Sequence, residues 1–190
     1  MPPKAKFTRE EIIEAALEIV REKGIEAITA RELGAKLNSS ARPIFTVFQN
    51  MDEVLEEVKQ KAKEVYNQYV QEGLQQTPAF KGVGTAYIRF AIVEAKLFQL
   101  LFMTEQQKTD SIKDVLMLID ESYEEILWSV EESNQLSRED AQRLYQHLWI
   151  YTHGIATLCA TGMYQFSGSE ISEMISDVFS GLLQKIKAEK

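Results

Sequence analysis

In this 190-residue chain, a group of closely spaced arginine and lysine residues gives the clearest indication of a binding chemistry. Residues 27–50 contain Arg31, Lys36 and Arg42 but only one acid, so this stretch carries a charge of +2. Clustered cations bind phosphate groups. The whole chain carries −8 and residues 1–50 carry +1, which leaves −9 on the rest. This asymmetry predicts that the N-terminal quarter approaches nucleic acid while the acidic remainder is repelled.

A helix-start signal precedes these three cations, and a turn signal lies between the second and the third. Thr29, followed three residues later by Glu32, has the spacing of a capping box and opens a short helix that reaches about Leu37. Asn38 accepts the left-handed conformation of a tight turn. We expect a second helix from about Ser40 to residue 47. Two short helices joined by a tight turn form a helix-turn-helix, whose second helix can enter a DNA major groove.

Apolar and small residues in the same stretch are spaced to fix the two helices at one angle. Leu33 and Leu37 on the first helix are expected to pack against Ile44 and Phe48 on the second. Small residues in the first helix permit a close crossing: Ala30, Gly34 and Ala35.

The rest of the chain also has helical periodicity, and capping signals mark several helix starts. Thr8 with Glu11 opens a first helix that Gly24 ends, and Asn50 with Glu53 opens a fourth helix. Further helices are expected over residues 81–97, with a continuation to residue 103 left open, and over residues 110–132, 137–164 and 167–187. Ser137 with Asp140 and Ser167 with Glu170 open the last two. With allowance for one more break in the longer stretches, we predict an all-α chain of about nine helices.

Residues from about Thr8 to Leu55 resemble the DNA-binding region of the TetR family of transcriptional regulators. The shared pattern is a long first helix, a Thr-started second helix, a small-residue turn, an aromatic third helix and a capped fourth. The resemblance implies a three-helix helix-turn-helix DNA-binding domain at residues 1–50 and a helical ligand-binding and dimerisation domain at residues 51–190. It also implies a cytoplasmic repressor that binds operator DNA as a homodimer and is released by a small-molecule effector.

The resemblance further implies which residues contact DNA. Arg31 matches a position that reaches a base edge, and Arg42 is the residue expected to read a base from the second helix, because a guanidinium donates two hydrogen bonds to guanine. Thr29 and Ala30 stand where backbone N–H groups meet phosphate. The full set of predicted DNA contacts is Thr29, Ala30, Arg31, Ser40, Ala41, Arg42, Pro43, Phe45, Thr46 and Val47.

Three positions depart from the family pattern. Relatives often carry Tyr at Phe45, Tyr or His at Val47 and Lys at Met51, and each of those residues contacts the DNA backbone. A basic arm made of Lys4, Lys6 and Arg9 is expected to compensate. These departures leave an alternative function open, that of a helical ligand-binding or adaptor protein with a degenerate helix-turn-helix.

Large side chains in the C-terminal part predict a cavity for the effector, as in relatives that bind small, often hydrophobic ligands between such helices. The spacing of each residue also fits an ordinary hydrophobic core. The candidate ligand-binding residues are Tyr87, Phe90, Phe98, Phe102, Met117, Tyr123 and Trp128.

A second resemblance lies at Trp149, His153 and Gly154, which match a Trp-x-x-x-His-Gly element of one class of TetR C-terminal domains. In the family the last two helices of each subunit form a four-helix dimer interface, and small residues here permit close packing. Packing within one chain is the alternative. The candidate interface residues are Gly154, Leu158, Gly162, Met174, Val178 and Leu182.

Other kinds of chemistry find little support. His147 and His153 are six residues apart, about 600° of helical rotation, so they do not share a face and no metal is predicted. Cys159 is the one cysteine of the sequence, so no disulfide can form within the chain, which is typical of a reducing compartment. We find no catalytic motif and predict neither an enzyme nor a cofactor, although a carboxylate pair formed in three dimensions stays open. No secretion signal or membrane span is expected.

Overall fold

The structure is a computed structural model that describes residues 6–105 and 108–189. All regular elements in this part of the chain are helical, which confirms the predicted all-α class. Two 3₁₀ turns lie at Ile25–Ala27 and Ile44–Thr46. The α-helices are α1 (Arg9–Lys23), α2 (Ala30–Lys36), α3 (Met51–Leu74), α4 (Ala79–Val93), α5 (Ala95–Phe102), α6 (Ile112–Ile119), α7 (Tyr123–Asn134), α8 (Arg138–Ala160) and α9 (Gly168–Ala188).

The chain forms two compact units. The N-terminal unit consists of the described residues up to Val65 together with Glu94–Thr104. The C-terminal unit consists of Tyr66–Val93 and the described residues from Glu105 onward. The boundary between the units therefore falls inside α3. The functional division at residues 50 and 51 stays a prediction.

The N-terminal unit begins with a capped helix. The Thr8 hydroxyl accepts a bond from the backbone N–H of Glu11, and the Glu11 side chain accepts one from the backbone of Thr8, which confirms the predicted capping box. Gly24, with φ of 90°, ends α1 by donating its N–H to the Val20 carbonyl. Helices α2 and α5 pack against α1. Fully buried side chains of this unit include Ile12, Leu17, Leu33, Ile44, Val54, Val58, Leu97 and Phe98.

The C-terminal unit is a bundle in which α8 packs against α4, α6, α7 and α9. Ser137 and Ser167 cap α8 and α9, as their spacing to the following acids predicts. The ends of α3 and α4 approach closely, since a Cβ on Gly73 would lie 2.8 Å from the Gly82 carbonyl oxygen. Fully buried side chains of this unit include Tyr66, Phe90, Leu116, Ile126, Leu127 and Leu144.

Two long predicted helices are interrupted. The run predicted over residues 110–132 breaks at Asp120, where α6 ends, because the carboxylate of Asp120 is bound by tyrosines from other helices. The run predicted from residue 81 breaks at Glu94, where the carboxylate accepts a 2.9 Å hydrogen bond from Arg21 of α1. At both breaks the acidic side chain is bound by residues distant in sequence. The periodicity of apolar residues along one helix contains no information about such contacts.

Candidate nucleic-acid interface and ligand cavity

Helix α2 and the turn after it have the geometry of a helix-turn-helix. The Thr29 hydroxyl accepts a 3.1 Å hydrogen bond from the Glu32 backbone N–H, which caps the helix. Asn38 is left-handed, with φ of 51°, as predicted. A Cβ on Gly34 would lie 2.9 Å from backbone atoms of Ser40 and Ala41, so the chain returns against α2 at a distance that only glycine permits.

The segment that follows, residues 40–47, is hereafter called the recognition segment. The prediction of an α-helix here is wrong, since only Ile44–Thr46 is helical, and it is a 3₁₀ turn. Pro43 explains the difference, because it has no N–H to donate and disfavours the α conformation at the preceding residue. The bonds are of the shorter type, from Ile44 N to Ala41 O at 3.1 Å and from Thr46 N to Pro43 O at 3.2 Å.

The recognition segment buries one face and exposes the other. Ile44 is fully buried in the N-terminal unit, and Phe48, just beyond the segment, is 2% exposed. Among the predicted DNA contacts, Thr29, Arg31, Ser40, Arg42, Phe45 and Thr46 are exposed, while Ala30, Ala41, Pro43 and Val47 are half-buried. The structure thus presents the predicted residues at the surface around one turn.

Arg9 holds the end of the recognition segment in place. Its Nε donates to the Glu57 carboxylate at 2.7 Å, and its Nη2 donates to both Glu53 and Glu57. Its Nη1 donates to the Val47 carbonyl at 3.3 Å, and the guanidinium lies 4.3 Å from the centre of the Phe48 ring. These carboxylates raise the pKa of Arg9 further above its ordinary value. We refer to this set of contacts as the Arg9 clasp.

The clasp changes the interpretation of the basic arm. Arg9 was predicted to contact DNA phosphate, but its guanidinium is bound to two carboxylates instead. Lys6 donates a 3.0 Å hydrogen bond to the Ser39 hydroxyl, beside the turn. Lys4 lies outside the described residues.

Of the four arginines of the N-terminal unit, Arg9 and Arg21 bind carboxylates of the described residues and the other two do not. Arg21 pairs with Glu94 at 2.9 Å, and further lysine–glutamate pairs occur on α1, α2 and α3. Within residues 6–105 and 108–189, neither Arg31 nor Arg42 forms an ion pair. Exposed guanidiniums without carboxylate partners are the groups that bind phosphate or a guanine edge.

Comparison with known proteins agrees with this geometry. Residues 12–58 match the model of a family described as bacterial regulatory proteins, tetR family. The N-terminal unit carries the DNA-binding domain of the TetR family. The match spans α1, α2, the recognition segment and the start of α3, and so confirms the resemblance seen from Thr8 to Leu55. A search of curated proteins finds no match to the chain.

The C-terminal unit contains a cavity of about 300 Å³. Its wall combines aromatic rings with one buried carboxylate, that of Asp120, and one exposed ammonium, that of Lys81. The volume is at the lower end of the range for small-molecule pockets. The aromatic residues of the wall are Tyr66, Phe80, Tyr87, Tyr145, Trp149 and Phe179.

Asp120 lies at the centre of a buried hydrogen-bond cluster. The side chain is 3% exposed, and its carboxylate accepts hydrogen bonds from the hydroxyls of Tyr66 and Tyr145, the latter at 2.5 Å. Burial, followed by the nearby Asp120 charge, raises the pKa of both tyrosine hydroxyls well above the ordinary value. Both hydroxyls therefore stay protonated at neutral pH and act as donors to the carboxylate.

Most of the candidate ligand residues do not line this cavity. Tyr87 lines it, whereas Phe90 and Tyr123 are buried without lining it. Met117 and Trp128 are 50% and 59% exposed. Phe98 and Phe102 belong to the N-terminal unit, where their rings are 5.0 Å apart. Sequence reasoning missed Asp120, which lines the cavity. One signal was available: Asp120 follows the apolar Leu116 by four residues, and residues four apart lie on the same face of a helix.

The candidate dimer residues are exposed or half-buried. Gly154 and Gly162 are exposed, while Leu158, Met174, Val178 and Leu182 are half-buried. Helix α9 buries Ile171 and Ile186, whereas an apolar stripe along it is only partly covered by the rest of the described chain. This placement is compatible with an interface but does not by itself identify a partner.

The two histidines of the C-terminal unit have different surroundings. His147 is exposed, whereas His153 stacks on Trp149 with ring centres 5.0 Å apart and shares a 2.8 Å hydrogen bond with the Tyr87 hydroxyl through Nδ1. Burial lowers the pKa of His153. Cys159 is half-buried. The described residues contain no group of three potential metal ligands and no helix long and apolar enough to cross a bilayer.

Proposed function

We propose that this protein is a transcriptional repressor of the TetR type that reads operator DNA with the recognition segment. The observation that carries the proposal is the pair of exposed, carboxylate-free guanidiniums, Arg31 and Arg42, on a helix-turn-helix that matches the family. A guanidinium donates two hydrogen bonds to the O6 and N7 atoms of guanine in the major groove. Arg42, on the recognition segment itself, is the proposed base-reading residue.

The proposed repressor is a homodimer. Two recognition segments about 34–36 Å apart would enter successive major grooves on one side of the duplex. The proposed surface for a second copy is the half-buried stripe of Met174, Val178 and Leu182 on α9, together with Gly154 on α8 and Gly162 just after that helix. A symmetric pair would bury the same patch twice, as most soluble homodimers do.

The proposed regulation is release from the operator by a small molecule bound in the cavity of the C-terminal unit. Such a ligand acts only through its different affinities for the DNA-binding and the released conformations. The proposal is supported by the cavity volume and by the concentration of aromatic rings in its wall.

The decisive experiment selects DNA from a random duplex pool with the purified protein, sequences what is retained, and titrates the selected duplex at several salt concentrations. Selective binding whose logarithmic affinity falls linearly with the logarithm of salt concentration is expected. A sequence with two related half-sites would support the dimer. Failure to bind any duplex above the level of a random one, at low salt, would overturn the proposal.

The alternative, a helical ligand-binding or adaptor protein, has two specific observations in its favour. Phe45 is 46% exposed and Val47 half-buried, and neither carries the polar group that relatives place on the DNA backbone. In addition, Arg9 is held by Glu53 and Glu57. A protein that binds ligand but shows no preference among duplexes in the same selection would favour this alternative.

A further inference from the structure

The wall of the cavity suggests the charge of the ligand. The buried carboxylate of Asp120 and six aromatic rings surround a space of about 300 Å³. We propose that the C-terminal unit binds an organic cation, an aromatic or alkyl ammonium compound, with its charge near Asp120 and its apolar body among the aromatic rings. This inference rests on the proposed function of the cavity as a ligand site and adds the chemical class of the ligand.

The electrostatics of the wall favour a cation. A buried carboxylate in an apolar wall interacts more strongly with a nearby charge than it would in water, because the surrounding dielectric constant is low. The Tyr66 and Tyr145 hydroxyls keep Asp120 hydrogen-bonded and bring it to the cavity side of α6. An anion placed near the same carboxylate would be repelled.

The aromatic rings contribute a second attraction. The face of an aromatic ring carries a negative potential, and an ammonium group within about 6 Å of a ring centre is attracted by roughly 0.5–2 kcal/mol. Tyr66 and Tyr87 have ring centres 5.9 Å apart, and Phe80 and Tyr145 have ring centres 5.6 Å apart, so the cavity wall holds several rings at close spacing. One small cation can therefore contact more than one ring.

Lys81 is the cationic side chain in the described cavity wall, and its position is compatible with this inference. It is exposed, and its ammonium donates a 3.3 Å hydrogen bond to the Ser172 hydroxyl, whereas Asp120 is buried. Water screens an exposed charge more strongly than a buried one. The negative charge of Asp120 therefore dominates the interior of the cavity.

Three probes of similar shape and different charge test the inference on the full chain: phenyltrimethylammonium, its uncharged isostere tert-butylbenzene, and benzenesulfonate. Trp149 lines the cavity and Trp128 does not, so a Trp128→Phe variant reports binding through Trp149 fluorescence. Calorimetry on the unmodified chain gives the affinities. We expect the cation to bind about tenfold more tightly than its isostere, and the anion more weakly than both. An apolar cavity without this chemistry would favour the uncharged compound, because the ammonium is better hydrated.

Equal or tighter binding of tert-butylbenzene, or of benzenesulfonate, overturns the inference, as does the absence of cation binding.

Asp120→Asn should remove most of the preference for the cation and leave the isostere within about threefold of its original affinity. The matched control is Glu125→Gln, which removes the same charge from an exposed position of α7 and should change neither affinity. If Asp120→Asn does not fold, the comparison of the three probes on the unmodified chain still decides. DNA selection is a separate measurement, so cation binding without operator binding would contradict the proposed repressor and support the ligand class.

Discussion

The Tyr145 hydroxyl donates a 2.5 Å hydrogen bond to the carboxylate of Asp120, and both residues are almost completely buried. A second tyrosine, Tyr66, donates to the same carboxylate. A buried charge is costly unless hydrogen bonds replace its hydration. The pair therefore stabilises the point at which α6 ends and α7 begins, as well as the wall of the cavity.

Replacing Tyr145 by Phe removes one of these donors and leaves the ring in place. We expect the free energy of unfolding to fall by about 1.5–3 kcal/mol, because the lost hydrogen bond is to a charged acceptor. Urea denaturation followed by circular dichroism measures the change. Tyr151→Phe is the matched control, since Tyr151 lies half-buried on the same helix, and it should cost much less. Equal losses for the two variants would contradict the role assigned to the Asp120 cluster.

His153 should contribute a pH-dependent term to the free energy of unfolding. Burial lowers the pKa of His153 in the folded state, so the unfolded chain takes up a proton first as the pH falls. The contribution of the neutral imidazole to the free energy of unfolding is fully present above about pH 6.5, the unfolded-state pKa. It is lost as the pH falls from there through the lower pKa of the folded state. Proton NMR titration of the His153 imidazole should give a pKa below the ordinary value of about 6.5.

The variant His153→Asn tests the same point by denaturation. The midpoint of unfolding of the original chain should decrease more between pH 7.5 and pH 5.5 than that of the variant. His147→Asn, at the exposed position, should retain the full decrease. A pKa for His153 at or above the ordinary value of about 6.5 would refute the assignment.

Arg42→Ala should weaken binding to the selected operator by about 1–3 kcal/mol and relax the preference at one base position. The reason is that a guanidinium bound to guanine supplies two hydrogen bonds that alanine cannot replace. Fluorescence anisotropy with operator and random duplexes measures the difference. Lys113→Ala removes a charge from an exposed residue of α6 and is the control. Equal losses on both duplexes would reassign Arg42 to a phosphate contact.

Gly34→Ala should disrupt the turn, because the added Cβ would lie 2.9 Å from backbone atoms of Ser40 and Ala41. We expect a loss of roughly 1–3 kcal/mol in the free energy of unfolding together with weaker operator binding. Gly84→Ala provides the comparison, since a Cβ there meets open space within α4 and should raise stability by about 0.5–1 kcal/mol. A neutral Gly34→Ala would show that the close approach is relaxed in solution.

Leu182→Glu should separate the proposed dimer. It places a charge on the half-buried apolar stripe of α9, where burial against a second copy would be unfavourable. Sedimentation velocity should show a shift towards monomer, and operator affinity should fall with it. Met117→Glu introduces the same charge at a side chain of α6 that is 50% exposed, and it should leave the sedimentation unchanged. A monomeric original chain would contradict the proposed interface directly.

The parts of this fold that follow from local rules could be predicted from the sequence. The capping boxes at Thr8 and Ser167 and the left-handed turn at Asn38 each depend on residues within a few positions. The recognition segment was predicted as an α-helix because its apolar spacing fits one, although Pro43 favours shorter turns. A proline near a helix start is tolerated, because the N–H at that position has no intrahelical partner, so Pro43 did not exclude the helix at the sequence level.

The cavity could not be predicted in the same way. Its wall is assembled from residues as distant as Tyr66 and Phe179, and helical periodicity identifies a buried face without identifying the partner. Aromatic residues such as Phe90 and Phe98 therefore looked equivalent to those of the wall, although the structure buries both elsewhere. Asp120 gains its importance only from the two tyrosines that meet it in three dimensions.

The Arg9 clasp holds the backbone at the end of the recognition segment through contacts that do not involve the exposed side chains of that segment. Val47, Phe48 and the start of α3 are anchored from behind by a residue of α1. In the proposed repressor, substitutions at Ser40, Arg42, Phe45 or Thr46 would therefore change the groups offered to a base pair and leave the contacts that hold the backbone in place. Such an arrangement would let a lineage exchange one target sequence for another in single steps, each passing through a properly folded intermediate.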